Sequence, residues 1–505
     1  MFSSVLNPIQ TQMRENPQHL ALVNDSGSYT FAQLGRRVEG IRQALRRHTP
    51  RCVMIYGHKQ LDAAAAMLAC AFEAIPFTFA DIANPAARIE RIAAMVQVDL
   101  VLLACEPRTS FPLLSAPTII TTSLADGSPL LPAVIPTSEQ LFYILTTSGS
   151  TGEPKGVKIS YGNYGALARW ALPLLHESGR GVHVNHACLS FDLGIMDIFL
   201  TLAAGKTLAM LDHINNIRPR KNLSLLTQPA LRIDSWFSTP GFLDLMCSDA
   251  WFCQQTLPDL KCIAIGGEAL LPSLVQTLHQ RFPQATLLHC YGPTEAACMT
   301  HAARMTPDNL PAVPPLPLGP ACGDNGAIIV DERGELLPAG TSGEIVLFGS
   351  QISPGYLPEP DPRNSLFSRR QGQRCYHTGD LGYLDAQGNL FVKGRNDGQI
   401  KWQGNRIEIG EIETVTNQLA GVQQVAVIAE KQDNRVKELM LFVHLSPDTN
   451  ERRASLRREL AQRLPAYMVP RIIRFTGPFP LTLHGKTDRQ ALMRQFETDA
   501  ETLPK

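Results

Sequence analysis

The sequence predicts an α/β protein with a large amino-terminal body on parallel sheets, a small β-rich module and an α+β unit at the carboxyl end. Three observations predict it. Short apolar runs alternate with helical periodicities across residues 30–281. A proline-rich stretch at 310–320 ends that alternation, and β-like runs between Gly/Pro turns follow it. The composition shifts again near Asp397, leaving a last stretch of about 110 residues, enough to fold alone.

The elements follow in order. Phe31, Leu34, Val38, Ile41 and Leu45 recur at helical spacing, so 30–47 reads as an amphipathic helix. Residues 52–56 form a short apolar run, read as a buried strand, and the alanine-rich 61–74 reads as a helix. Residues 98–104 and 142–146 read as further buried strands. Such alternation argues for a mainly parallel sheet covered on both faces. The pattern continues through 182–212, 230–247 and 257–281. Runs at 327–330, 343–348 and 388–393, with turns such as 338–343 between them, make the β-rich module. In the last unit Ile412, Val415, Leu419 and Val422 fit one helix face, 425–430 and 439–445 read as strands, and 451–463 reads as a helix.

Composition bounds the function. A chain of 505 residues needs more than one core. Lys+Arg and Asp+Glu are both 46 and no basic block occurs, so neither nucleic acid nor a membrane surface has electrostatic support. No apolar run approaches the roughly 20 residues of a membrane span. The amino terminus lacks a basic stretch followed by an apolar core, so no signal peptide is read. The 11 cysteines contain no CxxC pair and no zinc spacing, which reads as reduced, buried thiols in a cytoplasmic protein.

The chemistry starts at 146–156, TTSGSTGEPKG, after a strand-like run. Its three glycines and five hydroxyl side chains leave backbone N–H groups uncovered, which suits a polyphosphate, and a lysine ends it. It is not a Walker A loop, and a Gly/Ser/Thr-rich turn can also be only a turn. Four more segments follow: YGPTE at 291–295, YHTGDLG at 376–382, GRNDGQIKWQGNRIEIGEIE at 394–413 and LTLHGKTDRQAL at 481–492.

In this order the five segments resemble the adenylate-forming superfamily, which includes acyl-CoA synthetases, luciferases and the adenylation domains of nonribosomal peptide synthetases. The resemblance spans essentially the whole chain. It implies a core of two parallel-sheet subdomains plus the β-rich module over residues 1–395, and a mobile lid over 396–505. It also implies ATP and Mg²⁺. Thr147, Ser148, Gly149, Ser150, Thr151 and Lys155 would grip the β- and γ-phosphates. Gly267, Glu268, Ala269 and Gly292 would line the nucleotide site, and Tyr291 would pack on adenine. Thr294 would meet the α-phosphate, and Glu295 would help hold Mg²⁺, which prefers oxygen ligands. Asp380 would bind the ribose hydroxyls, with Arg395 beside it. Lys486 would bridge carboxylate and α-phosphate as the catalytic cation, since a point charge suits a transition state that gathers negative charge. Leu483 and His484 stand where the family more often has Pro and Asn. Asp397 takes the hinge position, and Gly404 would line the thiol tunnel.

Within FDLGIMD at 191–197, Asp192 matches the acid that pairs with a substrate ammonium in amino-acid-activating members. A buried carboxylate needs such a partner. Residues 141–157, 189–202 and 236–243 are similar to D-alanine–carrier-protein ligases. The implied pocket wall is Asp192, Leu193, Met196, Phe237, Ala264, Gly266, Cys290, Cys298 and Met299. It is almost wholly apolar, so the substrate is expected to be an uncharged amino acid, D-alanine or a small to medium apolar L-amino acid. Gly266 replaces the cysteine usual in D-alanine ligases, and is expected to open the wall.

The resemblance further implies transfer of the aminoacyl group to the phosphopantetheine arm of a separate carrier protein, because no carrier-type Gly-Gly-x-Ser segment follows. Arg452, Arg453, Arg457 and Arg458 are docking candidates, or simply a solvated helix face. Two other readings compete: an acyl- or aryl-CoA synthetase, against which Asp192 argues, and a nucleotide-binding relative without catalysis, against which the retained Lys486, Glu295, Asp380 and Arg395 argue.

Overall fold

The computed structural model describes residues 3–107, 111–112, 114–147, 155–212, 218–395, 399–402, 405–432, 435–480 and 487–501. Among them two large sheets dominate. The seven-stranded sheet runs Tyr356–Leu357, Lys155–Ser160, Leu141–Thr147, Phe77–Asp81, Val53–Gly57, Leu100–Leu103 and Thr118–Ile120 in spatial order. Its five strands from Leu141–Thr147 to Thr118–Ile120 are parallel. Val53–Gly57 is buried at every residue, as a strand covered on both faces must be. One cover is the alanine-rich helix Leu61–Phe72, buried from Asp62 onward. Its buried Asp62 is held by Arg37 Nε and Nη2, both at 2.9 Å, and by Thr121 Oγ1 at 2.8 Å. Arg37 lies on the helix Phe31–His48, which Thr30 and Gln33 close with a capping box.

The eight-stranded sheet is parallel at its centre, through Thr207–Met210, Val182–Asn185, Ile233–Ser238, Cys262–Gly266 and Thr286–Tyr291. Antiparallel strands close both edges. In open sheets of this kind ligands sit beyond the carboxyl ends of the strands. Phe237, Gly266 and Tyr291 all lie at such ends, and Asp192 opens the helix Asp192–Ala203 that follows Val182–Asn185.

The β-rich module is an antiparallel sheet of Gly326–Val330, Gly343–Phe348, Gln373–Leu384, Phe367–Arg370 and Leu390–Arg395. Its register sets Asp380 opposite Arg395.

After Arg395 come a hairpin, Gln399–Trp402 with Asn405–Glu408, and a three-stranded sheet under helices. Ile400, Trp402 and Ile407 of the hairpin share a core with Ile412, Leu441 and Leu456, so the hairpin belongs to this carboxyl-terminal unit. Val422 departs from the expected helix face. The helix Ile409–Asn417 stops earlier, and Val422 begins the strand Val422–Gln432. Its apolar spacing is helical, but its hydrogen bonds go to the strand Arg435–Leu445. Arg88 of the body and Glu411 form a fully buried ion pair that clamps this unit to the body.

Candidate active site

Glycine and backbone strain shape the amino-acid side. A Cβ at Gly292 would lie 2.5 Å from Met299 Cα and 2.6 Å from Cys298 O, so only glycine lets that segment lie against the strand end. Ala297 and Cys298 turn through left-handed conformations, φ 53° and 83°, which carry Cys298 and Met299 back over the wall. Left-handed backbone is costly outside glycine and clusters at functional sites. Met196, Phe237, Cys290, Cys298 and Met299 are all buried there.

Asp192 sits at the amino-terminal end of its helix, where the dipole favours a carboxylate. Thr294 Oγ1 donates to its Oδ2 at 2.7 Å, and the Leu193 N–H donates to Oδ1 at 2.8 Å. Burial raises the Asp192 carboxyl above its ordinary pKa, against these two donors and nearby Lys401.

Glu295 is fully buried among cations. Arg406 Nη1 donates to its Oε2 at 2.6 Å, the Tyr356 hydroxyl donates to Oε1 at 2.7 Å, and Lys155 Nζ lies 3.6 Å from Oε1. Burial pushes Glu295 upward, but Arg406 and Lys155 outweigh it and hold the carboxylate well below its usual range. The Lys155 ammonium, 4.4 Å from the Tyr356 ring centroid, is lowered to about 8 by burial and by Arg406.

Asp380 receives Arg395 Nη1 at 2.7 Å on Oδ1 and the Tyr291 hydroxyl on Oδ2. Lys401 Nζ covers the Tyr291 ring at 5.7 Å. A cleft of about 810 Å³ adjoins Glu295 and Asp380 through their partners, with Lys155, Arg363, Thr378, Arg395 and Arg406 in its wall. That volume lies within the usual range for ligand sites, and its cations suit a polyanion.

The fold therefore puts Lys155 and Arg395 in the wall of this cleft, with Glu295 beside Lys155, Asp380 bonded to Arg395, and Tyr291 bonded to Asp380. Thr294 faces Asp192. Gly267, at φ 90°, turns the chain away from its strand end, and Glu268 accepts the Gly241 N–H at 3.0 Å. Ala269 O accepts Arg435 Nε at 3.0 Å from the carboxyl-terminal unit. Ser148, Gly149, Ser150, Thr151, Asp397, Gly404 and Lys486 lie outside the described residues, as does the side chain of Thr147. Gly266 differs from expectation. A Cβ there would meet Cys290 O at 2.9 Å, with Cys290 Cβ and Phe237 Cε2 at 3.3 Å, so the glycine admits close packing and does not open the wall.

The family model described as "AMP-binding enzyme" matches residues 9–357, and "AMP-binding enzyme C-terminal domain" matches 411–486. The chain belongs to the AMP-binding enzyme family. It is 32% identical to a Bacillus anthracis protein named D-alanine–D-alanyl carrier protein ligase, over 97% of this chain and 99% of that one. A solved nonribosomal peptide synthetase protein, PA1221, with adenylation and PCP domains and a bound vinylsulfonamide inhibitor, has the same fold. Its TM-score is 0.82 at 24% identity, over 97% of this chain and 84% of that one. The Vibrio cholerae adenylation domain AlmE, solved with glycyl-adenosine-5'-phosphate, gives 0.82 at 23%, over 98% and 97%.

In this AMP-binding enzyme, sequence reasoning missed Arg406, Lys401, Tyr356 and Arg363. Arg406 and Lys401 stood inside the 394–413 segment, where hinge and tunnel roles drew the reading. Nothing in the neighbours of Tyr356 or Arg363 marks them. Arg363 Nε and Nη2 hold Asp361 at 2.9 and 2.6 Å, while its Nη1 is buried with no partner among the described residues. Three of the four helix arginines are tied down locally: Arg452 to Glu459, Arg453 to Asp448 and Arg457 to Arg471 O. Among the described residues no helix is long and apolar enough to cross a membrane.

Proposed function

We propose that this enzyme activates an uncharged amino acid with ATP and passes it to the phosphopantetheine thiol of a carrier protein. One observation carries the reading: a partly buried carboxylate, Asp192, heads a helix at an apolar wall and accepts from Thr294, whose neighbour Glu295 is held by Lys155 and Arg406 of the cation-lined cleft. A substrate ammonium supplies the partner that such a carboxylate needs. A fatty or aryl acid would leave it without one.

The chemistry then follows from charge. A substrate carboxylate oxygen attacks the α-phosphorus of ATP, the bond to the β-phosphate breaks, and pyrophosphate leaves. Lys155, with Arg363 nearby, would offset the negative charge of the departing end. Thr294 would turn its hydroxyl from Asp192 toward the α-phosphate once the ammonium neutralises that acid. Asp380 and Arg395 would hold the ribose, exchanging part of their mutual bonding for the two hydroxyls. Lys486 would stabilise the charge at the reacting oxygens. In the second half-reaction the thiol sulfur attacks the carbonyl carbon and AMP leaves.

Glu295 can supply one carboxylate for Mg²⁺, the usual protein share when phosphates provide other ligands. Bound there, the ion would neutralise phosphate charge. In the present arrangement Arg406 occupies Oε2, so the hairpin must withdraw for that oxygen to serve. We therefore read residues 396–505 as a lid, hinged at Asp397, whose hairpin faces the site when Mg·ATP is absent or after pyrophosphate has left. Gly404 would then line the thiol's path. Eleven unpaired cysteines suit the cytoplasm.

ATP–pyrophosphate exchange over a panel of amino and carboxylic acids, followed by loading of a phosphopantetheinylated carrier, tests this. Exchange confined to acids without an α-ammonium would overturn it in favour of a CoA-type ligase.

A further inference from the structure

The spare volume on the amino-acid side is not lined by Gly266. A cavity of about 40 Å³ shares Met196, Phe237, Ala264, Cys290 and Met299 with the predicted wall. Beyond them it is bounded by Ala171, Leu174 and Leu175 of the helix Tyr161–Ser178 and by Leu200 of the Asp192 helix.

We propose that this cavity is the far end of the side-chain subsite, and that the preferred substrate is an aliphatic amino acid two or three carbons longer than alanine. The inference rests on the reading of Asp192 as the ammonium anchor.

Direction comes first. Asp192, Met196 and Leu200 follow at successive i, i+4 steps, so they share one helix face, each about 6 Å further along. A substrate anchored at Asp192 sends its side chain down that face. An alanine methyl stops at the wall, and a longer chain reaches the cavity.

Size comes second. A single water needs roughly 10–15 Å³ of such space, so about 40 Å³ holds two or three heavy atoms. A benzene ring is held by a cavity of roughly 150 Å³, so an aromatic side chain does not fit. The close packing of Cys290 and Phe237 at Gly266 also gives the subsite depth without width.

Polarity comes third. Of the polar groups lining the cavity, His183, Asp197 and Ser235 already have partners, and the Trp236 indole N–H, a donor only, has none among the described residues. His183 Nε2 lies 3.1 Å from Asp197 Oδ1, and its Nδ1 lies 3.0 Å from Ser235 Oγ. Asn185 Nδ2 donates to Asp197 Oδ2 at 2.8 Å, and Ser235 Oγ donates to Asp234 at 2.9 Å. An incoming ammonium would lose its water without gaining a free acceptor, whereas a hydrocarbon end loses nothing. It also gains the contacts that an empty apolar space forgoes.

The test is pyrophosphate exchange by the full-length enzyme with glycine, alanine, 2-aminobutyrate, norvaline, valine, leucine, phenylalanine and lysine, in both hands where they exist. Norvaline, valine or leucine should exceed alanine of the same hand by about tenfold or more in kcat/KM, with phenylalanine and lysine below. Glycine or alanine ranking first would overturn the subsite while leaving amino acid activation standing. Exchange with no amino acid at all would instead overturn the proposed function. Ala171→Leu fills the cavity from its far side, and should cut the advantage of the best long substrate over alanine to about twofold or less. An unchanged ratio, in a variant that melts with the wild type, would also overturn the proposal.

Discussion

The two ends of the cleft are built differently. The proposed amino-acid end belongs wholly to the body: strand termini, one helix and a glycine-supported return at 297–299, with Asp192 as the proposed charged anchor. The phosphate end is crowded with charge, and part of that charge is on loan. Arg406 and Lys401 come from the hairpin of the carboxyl-terminal unit, more than 100 residues after Glu295 and Tyr291. On the proposed reading, rigid packing would select the substrate, while a movable set of cations would manage the phosphates. A buried carboxylate with two cationic neighbours is stable only while they stay or are replaced. Glu295 thus links the position of the hairpin to the occupancy of the site.

Four experiments sharpen or break this division. The largest effect is expected from Lys486→Ala, which should lower pyrophosphate exchange by about 10²–10³ while ATP binding, followed by calorimetry, changes little. Near-normal exchange would place the reacting-oxygen cation elsewhere. Asp192→Asn comes next. It should raise the KM for the amino acid by about 100-fold and leave the KM for ATP within about threefold, since only a charge-paired contact is lost. Parallel changes in both constants would mean that the two ends are not separate.

Arg406→Ala should slow carrier loading about tenfold more than it slows exchange, because it removes the partner that holds the hairpin against Glu295. A larger loss in exchange than in loading would reverse the assignment of this lid position.

Titration gives the smallest effect. Lys155 is charged below about 8 and loses its proton above it, so the KM for ATP should climb by up to about tenfold per pH unit on the alkaline side. Asp192 has its pKa raised, so it takes up a proton earlier than an ordinary carboxylate as pH falls, and the KM for the amino acid should rise on the acid side. Identical pH profiles for the two substrates would tie both to one group.

Much of the fold was legible beforehand. The helix predicted at 30–47 is Phe31–His48, and the strand predicted at 52–56 is Val53–Gly57, because periodicity and local capping settle both. The first helix, Ser3–Glu15, was not read. It carries Pro8 and an unremarkable composition, and packs mainly against the helix Asp192–Ala203 far along the chain. Val422 was misread because its helical spacing competes with a strand partner that only the tertiary fold supplies. At the site, residues in ordered motifs were legible, whereas Tyr356 and Arg363 have no local mark.

By itself the sequence determined which candidate groups are present and in what order: the hydroxyl-rich loop, Asp192 as the proposed anchoring acid, Asp380 as the proposed ribose partner, and the terminal lysine. Side-chain period and neighbour chemistry are written within a few residues, so they can be read there. Tertiary structure alone decided that Thr294 faces Asp192, that Arg406 caps Glu295, and that the spare volume lies beyond Met299 and not at Gly266. Pairing and free volume depend on how segments a hundred residues apart pack together, and no local pattern encodes that distance.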